Sequence, residues 1–133
     1  MYMKKGYKIN IETETERNGN YRRVLYTGEQ SQLVLMTLQP GEEIGLEVHK
    51  DTDQFFRFES GQGKVVVNET VYQVSDGDAV VIPSGAEHNV INVSESETLN
   101  LYTVYSPAHH KDHTVHATKA DEVEEEFDSV TTE

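Results

Sequence analysis

The apolar residues of this chain come in short runs, each cut off by a turn. Leu33–Leu38 runs into Pro40-Gly41, Phe55–Phe58 into Gly61-Gln62-Gly63, Lys64–Val67 into Asn68-Glu69 and Val71–Val74 into Asp76-Gly77. Ala79–Ile82 leads to Pro83-Ser84-Gly85, His88–Val93 to Ser94-Glu95-Ser96-Glu97, and Leu99–Tyr105 closes the series. These runs are too short for amphipathic helices and rich in Val, Ile, Phe, Tyr and Thr, which suit a pleated surface. Glycine, proline and asparagine between them supply the backbone angles of tight turns. The pattern predicts an all-β domain of the two-sheet, jelly-roll kind. Tyr7–Glu12 and Tyr21–Tyr26 read as further strands around a polar connection, Glu14–Asn20.

Alternation within the runs assigns faces. Glu47 and His49 stand at i and i+2, so on a strand they share one face, and Leu46 and Val48 take the other, which their apolar character predicts to be covered. Gln54 shares a face with Phe56 and Phe58, while Phe55, Arg57 and Glu59 share the opposite one, with Arg57 and Glu59 as an outward pair. His88 follows the Pro83-Ser84-Gly85 turn some forty residues on. Singly, Glu47 reads as an edge-strand carboxylate and His88 as a partner for a turn. Together, Glu47, His49, Gln54 and His88 offer two imidazoles, one carboxylate and one amide oxygen. That mixed set suits one divalent ion per chain, Zn, Fe, Mn, Ni or Co, and suits Cu(I) poorly. Because both imidazoles must be neutral to coordinate, metal affinity is expected to fall below about pH 6.5, the ordinary histidine value. His109, His110, His113 and His116 form a second cluster, read as an exposed linker, with a lid made by His110 or His116 as the alternative.

A chain of 133 residues has room for one domain with one core. It has no cysteine, hence neither disulfides nor a thiolate metal site. The net charge of −13 argues against nucleic acid, whose phosphates need a basic surface. Seven of the 24 acidic side chains lie from Asp121 onward, so the acid is concentrated in a tail expected to be solvated and partly frayed. The spacing over Ala117–Phe127 is compatible with a short acidic helix. Met1–Lys8 is basic but no apolar core follows it, and no run has the length of a membrane span. The expected compartment is the cytoplasm, without a membrane partner.

Gly41, His49 and Gly61, followed by Gly77, Pro83, Gly85, His88 and Asn92, resemble the two motifs of the cupin superfamily. The second motif fits throughout. The first departs at Glu47, where the family usually has its leading His, and at Gln54, where it has Glu; both replacements keep an oxygen donor. Tyr26-Thr27-Gly28, Ser31–Met36, Asp53–Arg57 and Tyr105-Ser106-Pro107 further resemble small single-domain cupins of the mannose-6-phosphate isomerase-like group. The resemblance implies a double-stranded β-helix barrel core over 31–106, N-terminal strands over 1–30 at a homodimer interface, and a polar, acidic tail over 107–133. It also implies a small polar substrate and sugar or sugar-phosphate isomerase chemistry, since phosphomannose isomerases of this fold hold their metal with two His, one Gln and one Glu. An Fe(II)-dependent dioxygenase and a non-enzymatic binding module are the alternatives. No base is identified by its surroundings, with Tyr102 and Glu43 the candidates; Lys50 and Arg57 are poorly placed for a phosphate.

Overall fold

The structure, a computed structural model, describes residues 3–133. A helix, α1 (Ile11–Arg17), precedes nine strands: β1 (Arg22–Thr27), β2 (Gln32–Leu38), β3 (Asp53–Ser60), β4 (Gly63–Val67), β5 (Thr70–Val74), β6 (Ala79–Ile82), β7 (His88–Asn92), β8 (Leu99–Ser106) and β9 (Val115–His116). They form a six-stranded sheet, β6-β3-β8-β2-β1-β9, and a three-stranded sheet, β5-β4-β7. Every pairing is antiparallel. This is the jelly-roll sandwich that the turn spacing predicts.

The core lies between the sheets and follows the period of two. Phe56 and Phe58 on β3, Val65 on β4, Val90 on β7 and Leu101 on β8 are almost fully buried. Burial of such side chains, at about 1.5–3 kcal/mol each, is the main force holding the two layers together. Asn92 ties the strand ends: its Nδ2 lies 2.8–3.1 Å from the carbonyls of Leu38, Gln39 and Glu97. Gly61 sits where the chain turns back, with φ of +97° and no room for a side chain, since a Cβ there would stand 2.4 Å from the Thr98 carbonyl.

Three expectations are overturned. Tyr7–Glu12 does not form a strand; Ile11–Arg17 is helical instead. The side chain of Asn10 accepts from the Thr13 N–H as an N-cap, Glu12 and Glu14 sit in the first turn and Arg17 in the last, so charges match the helix dipole. The tail is likewise no acidic helix: only Lys119–Asp121 makes a 3-10 turn. Nor is it frayed. Gln32 Oε1 accepts from the N–H groups of His109 and His110, β9 adds to β1, and the Phe127 N–H donates to the His109 carbonyl. The backbone is docked while most of the acidic side chains of 121–128 project outward.

Candidate metal centre and its pocket

The two motifs meet through their backbones. Glu47 and His88 form an antiparallel bridge and exchange both N–H···O bonds at 2.9 Å, which puts their side chains side by side. Residues 46–49 form no regular strand, yet they alternate as expected, with Glu47 and His49 inward. Leu46 and Val48 point away and are 65% and 47% exposed, so the cover expected over them is absent in the single chain. Gly85, at φ +87°, donates its N–H to the His49 carbonyl at 2.8 Å, so the turn before His88 also fixes His49.

Glu47, His49 and His88 thereby present ligand atoms within 4.8 Å of one another. His88 Nδ1 lies 3.0 Å from the Ala86 carbonyl, which can only accept, so Nδ1 carries the proton and Nε2 keeps its lone pair. That Nε2 is buried and has no partner, and the same holds for His49 Nε2. Gln54, at the start of β3, is 2% exposed; its Nε2 donates to Thr103 Oγ1, leaving Oε1 buried without a donor. It stands across the ladder from Tyr105, whose ring is 5.9 Å from that of His49. Buried polar atoms without partners are costly, and three of the four predicted donors carry one. A divalent cation held by Glu47, His49 and His88 would satisfy both imidazole nitrogens, so these three residues fit the ion.

Electrostatics agree. Burial holds His49 down at about 4, with His109 and His88 adding to the effect, and burial also lowers His88. Both are therefore neutral near pH 7 and ready to donate lone pairs. Burial pushes the Glu47 carboxyl up to about 7, against the pull of Arg22.

Beside this cluster lies a cavity of about 230 Å³, lined by Arg22, Glu47, His109, His110, Glu122, Val123 and Glu124. The tail builds its outer wall, so the exposed-linker reading of the tail histidines is overturned for three of four. The His109 ring lies 4.2 Å from that of His49 and stacks on Tyr105, His110 Nε2 is 3.1 Å from the Tyr105 hydroxyl, and His116 is buried against Arg22. Only His113 is open to solvent. The lid alternative named His110 or His116; the tail histidines that line the cavity are His109 and His110. Neither expected base reaches the pocket: Tyr102 packs on Phe55 on the other face, and Glu43 is exposed beside Asn89. Arg57 pairs with Glu59 at 3.3 Å, away from the site, although a bulge leaves Glu59 only 8% exposed. Arg22 was missed. Its parity with buried Val24 on β1 was the available signal, masked because a charged residue at an inward position reads as a strand end.

A Cupin domain family profile matches residues 34–105, which spans β2 through β8 and all four donors. The chain belongs to the cupin family. This cupin is 42% identical over 128 residues to the uncharacterized protein YrkC of Bacillus subtilis (strain 168), covering 92% of this chain and 68% of the relative. It is 43% identical over 107 residues to an uncharacterized protein of Acanthamoeba polyphaga mimivirus, covering 78% of this chain and 67% of that one. The crystal structure of BH2720 from Bacillus halodurans is similar at 43% identity and a TM-score of 0.85, over 88% of this cupin and 92% of that chain.

Proposed function

We propose that this cupin holds one divalent metal ion through Glu47, His49, Gln54 and His88 and isomerises a small hydroxylated carbonyl metabolite in the adjoining cavity, as in the mannose-6-phosphate isomerase-like group. The observation that carries the reading is the convergence of the Glu47 carboxylate with two buried imidazole nitrogens that have no other partner. When bound, a divalent ion in this set keeps a charge of about +1 and supplies Lewis acidity toward a carbonyl or hydroxyl oxygen. The remaining work belongs to the chain. His109, neutral because burial lowers its pKa, lines the cavity and is the group that takes a proton from one substrate carbon and returns it to the next, as the hydroxyl proton on the first carbon passes to the neighbouring carbonyl oxygen. His110, held neutral and fixed to the Tyr105 hydroxyl, sets the back wall. The docked tail limits water above the reacting atoms.

The test is a screen of metal-loaded protein against aldoses, ketoses and their acid and phosphate derivatives, with His109→Gln alongside. Interconversion that disappears in His109→Gln while bound metal persists supports the reading. A second reading is favoured by one observation: two histidines and one carboxylate within 4.8 Å also match the Fe(II) triad of oxygenases. Oxygen uptake dependent on Fe(II), without isomerisation, would select it.

A further inference from the structure

Arg22 is the one strongly basic side chain lining the cavity, and it is 2% exposed. Burying a guanidinium is costly unless an anion accompanies it. Its anion is Glu122, at 2.5 Å from Nη1, on the short irregular stretch after the 3-10 turn. The pairing is lopsided: the arginine side chain is 3% exposed and the glutamate 35%. The glutamate reaches in from the solvent side on a docked backbone, its own N–H bonding the Lys119 carbonyl and the Val123 N–H reaching His116 Nε2 at 3.5 Å, so the side chain is the part that can be displaced. The guanidinium is not saturated either: Nε–H is buried and without an acceptor, while Nη1 lies 2.5 Å from Glu122 Oε2 and 3.4 Å from His116 Nδ1. A fixed cation thus lines the same cavity as Glu47, capped by a removable carboxylate.

We propose that Arg22 is the seat for a carboxylate on the substrate, and that Glu122 is a built-in stand-in which a small hydroxylated carboxylic acid displaces. The chemical class follows from what occupies the seat: a carboxylate already fits it. A phosphate dianion is disfavoured, because Glu124 stays in the lining when Glu122 is displaced and opposes a second negative charge more than a single one. The inference deepens the metal-pocket reading by naming the substrate's charged end, and rests on that reading for the substrate being there. The seat itself needs no metal.

The test uses thermal melting and hydrogen exchange of the full chain with lactate, inorganic phosphate and glycerol as probes, each with metal supplied and with chelator. Glu122→Gln removes the stand-in, so its melting temperature is expected to fall and to be restored by millimolar lactate, with an apparent affinity about tenfold tighter than wild type. Glycerol should do nothing and phosphate less than lactate. Glu69→Gln, an exposed change on the β4–β5 turn away from the cavity, should respond as wild type does. In wild type, lactate should raise exchange at 120–126. If Glu122→Gln does not fold, that wild-type exchange decides. Equal responses to lactate and glycerol, unchanged exchange in the wild type, or tighter binding of phosphate would overturn the proposal. Lactate rescue that survives chelation in a protein that never binds metal would keep the seat and sink the metal reading; stoichiometric metal without rescue would do the reverse.

Discussion

At the scale of single residues, the site turns on which proton must leave before a metal can enter. With ordinary histidines the limit would lie near 6.5 and two protons would compete. Here His49 is held down at about 4, so it competes only in strong acid, whereas Glu47 is pushed up to about 7. Below about 7 the metal must displace the Glu47 proton, and affinity should drop about tenfold per pH unit, with one proton released per ion. Zinc titrations in buffers of differing ionisation enthalpy between pH 5 and 8 measure that count. Release of two protons, or a midpoint near 5, would contradict it. The sign for the metal-free protein is opposite. A carboxyl whose folded pKa lies above its ordinary value of 4.5 favours the fold in acid, and that contribution disappears as pH rises through about 7. Added metal should therefore raise the melting temperature more at pH 7.5 than at pH 5.5. Legibility also has its limit at this scale. The grouping of Glu47, His49 and His88 was visible because donors at strand spacing beside Gly and Pro turns are unusual. Arg22 and His109 were not, because what places them is a tail contact no local pattern encodes.

At the scale of elements, turns carry as much as strands. The strands from β2 through β8 were legible within a residue or two, since period-two burial and turn residues act locally. The helix was legible too, in Asn10, Glu12, Glu14 and Arg17, but the apolar Tyr7, Ile9 and Ile11 suggested a strand instead. Asn10→Ala should cost about 1 kcal/mol, seen as a small shift of the denaturant midpoint without loss of metal. Gly61→Ala is a harsher change. Its Cβ meets backbone at 2.4 Å and its φ is positive, so a loss of about 3 kcal/mol or more is expected, measured by urea unfolding. Gly85→Ala has open space around it but the same unfavourable φ of +87°. Its stability should fall by about 1–2 kcal/mol, and because its N–H holds His49, zinc affinity should fall with it. Unchanged affinity would show that the turn does not position the ligand.

At the scale of the whole molecule, the tail and the barrel are one unit. Asp112 accepts from Thr27 and from Thr132, Gln32 clamps His109 and His110, and Glu122 answers the charge of Arg22. Sequence could not show this, because the tail's acidic composition reads as a solvated end and its few docking contacts are far apart in the chain. No helix among the described residues is long and apolar enough to cross a membrane. The central claim, that the sandwich brings distant donors onto one cation, is tested most directly by elemental analysis of protein purified without added metal, beside Glu47→Ala and His88→Ala. About one divalent ion per wild-type chain, with little in either variant and both variants folded by circular dichroism, is the predicted result. Metal-free wild type that also fails to take up zinc, iron, manganese, nickel or cobalt, or variants that keep a full complement, would contradict it.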